Sequence, residues 1–157
     1  DSGTNQLAPS IASDARVTVL EKTNARSLDF DIIKEKADII VMDVSFISQT
    51  LIHPTVNKFL LDDGLFITLI KPQFEAGREK VGKKGVVREP SVHKEVLDNF
   101  VALTQELDFT ILGLTFSPVK GPEGNIEFLA HLTLDDKIGI VPDTASVVAD
   151  AHETLKG

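Results

Sequence analysis

Leu65-Phe66-Ile67-Thr68-Leu69-Ile70-Lys71-Pro72-Gln73-Phe74-Glu75 is the stretch whose reading decides the fold. Six mostly branched or aromatic residues follow Gly64, so a turn leads into a buried strand. The apolar run stops at Lys71. Pro72 lacks a backbone N–H and biases the residue before it toward extended geometry, so the strand ends there. A lysine at the carboxyl end of a buried strand stands where open α/β sheets place their ligands, with its ammonium partly desolvated. A lone lysine at such a place also commonly snorkels to water, so its neighbours decide its meaning.

Upstream, Ala37 to Asp43 reads as a second strand, again closed by an acid. Ser45 or Ser48 can cap a helix over Gln49 to Leu61, where Leu51, Ile52, Val56, Phe59 and Leu60 keep helical spacing, and Asp62-Asp63-Gly64 ends it. Earlier still, Arg16 to Glu21 reads as a compact strand, and Asn5 to Ala12 as a short helix that tolerates Pro9 only in its first turn. Asp31 to Lys36 suits a helical turn. Downstream, Pro72 to Pro90 shows no periodicity. Loops of that length in a small domain are often binding segments, and this one carries Arg78, Lys80, Lys83, Lys84 and Arg88 among three glycines. Ser91 then caps an amphipathic helix over Val92 to Leu107, with Val92, Val96, Leu97, Phe100, Val101 and Leu103 on its inner side. His93 reads as a surface residue, since no second histidine lies at metal-ligand spacing. Two strands follow, Phe109 to Phe116 and Ile126 to Leu134, joined by a loop without a helix, so as neighbours they pair antiparallel. A small helix, Asp143 to Leu155, ends the chain. This order implies an α/β fold: a mostly parallel sheet covered by helices, with an antiparallel strand at one edge.

Composition narrows the function. The chain has 157 residues, 42% of them apolar, which suits one domain with one core. It has no cysteine, which removes disulfide frameworks and thiolate metal sites and fits a cytoplasmic protein. A net charge of −8 argues against gripping nucleic acid with the whole surface. There is no Trp or Tyr, and the nine Phe fall mostly inside apolar runs, so no base-stacking platform is evident. No apolar run approaches the ~18 residues of a membrane span, and no signal peptide is expected.

Three charged residues end or open the strands: Asp43, Lys71 and Glu127. Neighbouring strand ends lie ~4.8 Å apart, and an antiparallel strand starts at the edge where its parallel neighbours finish. The three side chains are therefore expected to converge on one edge of the sheet. A lysine held between two carboxylates can steer a hydroxyl or, when neutral, take its proton. A purely structural ion-pair cluster would use the same residues.

Six segments in order carry a resemblance. They are Gly3-Thr4-Asn5-Gln6-Leu7-Ala8, Arg16 through Arg26, Asp43-Val44-Ser45-Phe46-Ile47-Ser48, Lys71-Pro72-Gln73-Phe74-Glu75, Lys84-Gly85-Val86-Val87-Arg88, and Ser117 through Phe128. Together, from Gly3 to about Leu134, they resemble the TlyA family of FtsJ-like (RrmJ-like) ribosomal RNA methyltransferases, often labelled hemolysins. The resemblance implies a class I (Rossmann-like) methyltransferase sheet and transfer of a methyl group from S-adenosylmethionine to a ribose 2′-hydroxyl. The family uses a Lys-Asp-Lys-Glu tetrad, and Asp43, Lys71 and Glu127 match its second, third and fourth members. Lys71 would activate the hydroxyl, and Asp43 and Glu127 would orient it. For the cofactor, Asp1 matches an acid that reaches a ribose hydroxyl, Asn24 falls where adenine is commonly held, and Asp43 lies near the reacting end. The basic residues Arg78, Lys80, Lys83, Lys84 and Arg88 are candidate RNA contacts, ribosomal RNA or a ribosomal subunit is the implied partner, and no metal is expected. The family's S4-type RNA-binding domain, first tetrad lysine and Gly-rich cofactor loop have no counterpart here. Residues 1–157 therefore read as the C-terminal part of a methyltransferase domain, expected on its own to bind S-adenosylmethionine poorly and not to turn over. Two other readings are a non-catalytic RNA-binding protein and a membrane-active hemolysin. No apolar span or cationic amphipathic helix supports the latter.

Overall fold

The computed structural model describes residues 1–136 and 138–157. They fall into two compact units, Asp1–Glu35 and Lys36–Gly157.

The first unit is mostly irregular. Its one α-helical turn, α1 (Pro9–Ala12), opens with Pro9 at the first position, where a missing N–H costs nothing. The strand expected over Arg16 to Glu21 does not form. That stretch makes scattered hydrogen bonds, among them from the Asp1 amino group to Leu20 O (2.8 Å) and from Asn5 N to Glu21 Oε1 (2.9 Å), and no strand ladder. Branched residues favour a strand only when a neighbouring strand gives them a ladder to join.

The second unit is built on a four-stranded sheet: β1 (Ala37–Met42), β2 (Leu60–Ile70), β3 (Thr110–Phe116) and β4 (Phe128–Thr133), in the order β1-β2-β4-β3. β1 and β2 are parallel, and β4 runs antiparallel to both β2 and β3. Three strands thus share one direction. The reversed strand lies one place in from the edge, between β2 and β3, and makes that side of the sheet antiparallel. β2 begins earlier than expected, directly after α2 (His53–Phe59), and Asp62-Asp63-Gly64 is not a turn between helix and strand. It lies inside the strand, where the register with β1 slips between Ala37 and Ile39. Gly64 is needed there, because a Cβ would stand 2.9 Å from both the Asp38 and Leu61 carbonyl oxygens.

The run Leu65 to Ile70 is buried on one face only. Phe66, Thr68 and Ile70 are sealed, as are Phe128, Ala130 and Leu132 directly across from them on β4. α2 and α4 (Pro90–Glu106) cover this face, with Val56 and Phe59 from the first and Val96, Leu97 and Phe100 from the second. The other face presents Ile39, Val41 and Ile67, which are exposed. α4 is started by Pro90 at its first position behind Glu89, not by a Ser91 cap. Ser48 does cap, by accepting from Thr50 N, although its helix begins as a single 3-10 turn before α2. α3 (Pro72–Glu75) is a one-turn helix, and α5 (Thr144–Thr154) is capped by Asp143.

Two histidines are sealed in this core. His53 Nε2 donates to Gln49 Oε1 at 3.0 Å, and its ring stands edge-on to Phe66 and Phe100, both at 5.6 Å. His93, expected on the surface, is fully buried. It points from the first turn of α4 at the sheet, edge-on to Phe128 at 5.6 Å, and both ring nitrogens find partners, Val87 O at 3.0 Å and His152 Nε2 at 2.8 Å. Burial pushes each from the ordinary 6.5 down to about 4. Both therefore stay neutral in the folded chain at pH values where the unfolded chain takes up protons. Stability is expected to fall as pH drops from about 6.5 to about 4, by at most about 1.4 kcal/mol per pH unit for each histidine. Urea midpoints measured across that window check this. His53→Phe should flatten the slope by about one proton's worth, and an unchanged slope would refute the assignment.

Candidate active site

The sheet register builds the site. Met42, the last residue of β1, pairs with Thr68, so Asp43 leaves the sheet beside the end of β2. Ile70 pairs with Phe128, so Lys71, just after β2, leaves the sheet beside Glu127, just before β4. The three charged residues thus meet at one edge of the sheet, as expected from sequence. The Lys71 ammonium lies 2.6 Å from Asp43 Oδ1 and donates to Ser45 Oγ at 3.1 Å. The Lys71 side chain is 13% exposed and that of Asp43 66%. Lys71 is not clasped by two carboxylates, however. Glu127, itself buried, accepts from Gln73 Nε2 at 2.9 Å. A one-turn helix follows Lys71, and it swings Gln73 into that position.

The two motifs flanking this pair lock together. Glu75 accepts from Ser48 Oγ and from Gln49 N, the latter at 2.9 Å. Burial raises the Glu75 pKa, opposed by those two donors. Gln49 is buried too. It donates to Leu69 O at 2.9 Å and accepts from Thr68 Oγ1 at 2.6 Å, which ties the segment after β1 to β2. Between these anchors Phe46 is held at φ 67°, a conformation rare for a bulky residue. Its ring is 90% exposed and rests on Phe74 at 5.2 Å. Composition hid this aromatic surface, because Phe46 is the one apolar side chain of its segment turned fully outward beside Asp43.

Two further residues were missed by sequence reasoning. Gly121 crosses directly over Glu127: a Cβ there would lie 2.4 Å from its carboxyl carbon and 2.5–2.6 Å from both oxygens. Asn125 is buried with its amide fully used. It accepts from Val87 N at 3.0 Å and donates to Gly85 O (2.9 Å) and Pro122 O (3.1 Å). It stitches the basic segment to the loop that positions Glu127. The long connection after β2 is therefore structured, with Val86 and Val87 buried. Of its basic residues, Arg78, Lys83, Lys84 and Arg88 are exposed, while the Lys80 ammonium is held by Glu95 Oε1 of α4 at 2.6 Å.

The remaining candidates, Asp1 and Asn24, belong to the first unit. Asp1 lines a cleft of about 300 Å³ with Gly3, Gln6, Leu7 and residues 18–21. Asn24 is outside that lining. Its Oδ1 caps a 3-10 turn by accepting from Arg26 N at 3.0 Å, which leaves Nδ2 to donate elsewhere.

Known proteins are similar to this chain over most of its length. Residues 1–134 match the FtsJ-like methyltransferase family. The chain is 43% identical to YqxC of Bacillus subtilis, a candidate rRNA methyltransferase, over 99% of this chain and 58% of that protein. It is 39% identical to the 16S/23S rRNA (cytidine-2′-O)-methyltransferase TlyA of Mycobacterium tuberculosis, over 84% of this chain and 49% of the other. Hemolysin A of Brachyspira hyodysenteriae is also 39% identical, over 85% of this chain and 56% of its own. A solved structure of a candidate hemolysin from Streptococcus thermophilus superposes with a TM-score of 0.92 at 45% identity, covering 99% of this chain and 57% of that one. The chain thus spans about half the length of the curated relatives it matches.

Proposed function

Because this chain belongs to the FtsJ-like methyltransferase family, we propose that it is part of an enzyme that methylates a ribose 2′-hydroxyl of ribosomal RNA with S-adenosylmethionine. The observation that carries the proposal is the nearly buried Lys71 ammonium, 2.6 Å from Asp43 at the sheet edge that also holds Glu127. Lys71 Nζ, in its neutral form, accepts the hydroxyl proton as the oxygen attacks. Asp43 then sits against the ammonium so formed, and Glu127, fixed by Gln73 and Gly121, orients the hydroxyl. Holding the oxygen in line supplies much of the catalysis.

The cleft of the first unit suits the adenosine end of S-adenosylmethionine. The Asp1 carboxylate is a ribose-hydroxyl acceptor, and Leu7, Val19 and Leu20 offer apolar walls to a flat ring. Asn24 would serve through Nδ2. When bound, the cofactor supplies an electrophilic sulfonium methyl. Phe46 offers the target base a stacking surface, and Arg78, Lys83, Lys84 and Arg88 are free for phosphates. In a chain of net charge −8 these make a local contact rather than a general one. The partner is ribosomal RNA, free or within a subunit, which places the reaction in the cytoplasm. No helix among the described residues is long and apolar enough to cross a membrane.

The test uses the complete protein, S-adenosylmethionine with a radiolabelled methyl group, and ribosomal subunits. Alkali cleaves RNA through a free 2′-hydroxyl, so the label is expected in alkali-resistant dinucleotides. Label in mononucleotides would put the methyl on a base and overturn the role given to Lys71. Phe46→Ala is expected to raise the KM for RNA about tenfold while cofactor affinity stays put.

A further inference from the structure

We propose that the cleft bounded by residues 86–88, residues 120–126 and α5 is an anion site that takes a phosphate group. It measures about 270 Å³, and Arg88, Lys120, Lys156, His93 and His152 are among its lining residues. No carboxylate lines it, although the chain as a whole carries a net charge of −8. Neither Asp43 nor Lys71 takes part. α5 lies beyond the residues matched by the family, 1–134, so the cleft joins a family motif to an element outside that match.

The histidine pair shows how the wall is prepared for an anion. A backbone carbonyl can only accept, so His93 Nε2 carries the proton given to Val87 O. His93 Nδ1 is then an acceptor, and His152 Nε2–H donates to it at 2.8 Å. That leaves His152 Nδ1 as the nitrogen of the pair without a partner among the described residues. A proton there would turn it into a charge-assisted donor for a phosphate oxygen. Partial burial holds the His152 pKa down in the free protein, and a bound anion would pull it up. The groups around it are His93, Arg88 and Lys120, with Glu153 on its own helix and Lys156 just beyond the end of that helix. Arg88 has no ion-pair partner among the described residues. Lys120 donates only to the Gly157 carbonyl, at 3.0 Å. Lys156 pairs with Glu153 at 2.7 Å in an exposed i,i+3 contact, which costs little to exchange.

Ile126 lines this cleft, and the next residue, Glu127, faces the proposed reaction edge. An RNA strand presenting a ribose to Lys71 could therefore lay a neighbouring phosphodiester here. Only this choice of source rests on the methyltransferase reading. A free phosphate would use the same groups.

The experiment titrates inorganic phosphate into the complete protein and follows histidine side-chain resonances by NMR. His152 and His93 are expected to shift saturably and His53, in the core, to stay still. The His152 titration should move up by about one pH unit in saturating phosphate. The double variant Lys120→Gln/Lys156→Gln should weaken phosphate binding by about tenfold or more, with unchanged His53 signals reporting an intact core. In the second arm, the salt dependence of RNA binding is compared between wild type and this variant. A slope shallower by about one identifies an RNA phosphate as the occupant. An unchanged slope with phosphate binding lost identifies a free anion. Absence of any shift at His93 and His152 up to tens of millimolar phosphate, or equal phosphate affinity in the double variant, would overturn the site. Methyl transfer is not a readout, so failure here leaves the catalytic reading untouched, and the reverse holds.

Discussion

Lys71→Met in the complete protein is expected to lower methyl transfer by ~10³-fold, the scale of a lost general base in a site that still positions its substrate. Cofactor affinity and fold should survive. The variant keeps the apolar stem that packs at the end of β2 and removes only the ammonium. Asp43, the partner left behind, is 66% exposed and can be solvated by water, so no buried charge is orphaned. The measurement is single-turnover methyl transfer to ribosomal subunits beside the thermal midpoint and calorimetric S-adenosylmethionine binding. A variant that transfers at the wild-type rate would remove Lys71 from the chemistry and leave the Asp43–Lys71 pair as a structural contact.

Gly121→Ala is the second large effect, and it acts without replacing a charged residue. The added methyl would stand 2.4 Å from the Glu127 carboxyl carbon, well inside contact distance. Gly121 has φ −78°, so the residue is required for its lack of a side chain and not for its backbone angle. Something must move. The loop is tethered by Gly121 N to Asn125 O at 2.7 Å, and Asn125 is itself pinned to residues 85 and 87, so the carboxylate of Glu127 is what yields. Overpacking of this kind costs about 1–3 kcal/mol of stability, and displacing an orienting group by about 1 Å costs ~10²-fold in rate. Methyl transfer should fall by about that factor at temperatures where circular dichroism shows the variant fully folded. Wild-type transfer by the folded variant would show that the Glu127 position does not govern the reaction.

The strand ending at Lys71, the acid ending the strand before it, and the antiparallel entry of Glu127 were all legible from the chain. Each depends on one element's own pattern: a run of β-formers, a proline that stops it, and a connection too short to hold a crossover. Where a reading needed a partner, it failed. Residues 17–20 have strand composition but form no ladder, and residues 62–64 look like a turn but sit inside β2, where its register with β1 slips. His93 gave no sign of burial, because a polar residue in a first turn is sealed or solvated according to what packs against it.

By itself, then, the sequence determined the order of the main elements from Ala37 onward and the shared edge of Asp43, Lys71 and Glu127, because these follow from local periodicity and strand direction, and its six motifs carried the family resemblance. Tertiary structure alone decided that Lys71 rests on Asp43 and Ser45 while Glu127 is kept by Gln73 and Gly121. It also decided that Phe46 faces outward and that His93, His152, Lys120 and Lys156 share a cleft. Most of those outcomes turn on distances of 2–6 Å between side chains 26 to 59 positions apart in the chain, and spacing along a sequence does not encode such distances until the backbone has closed.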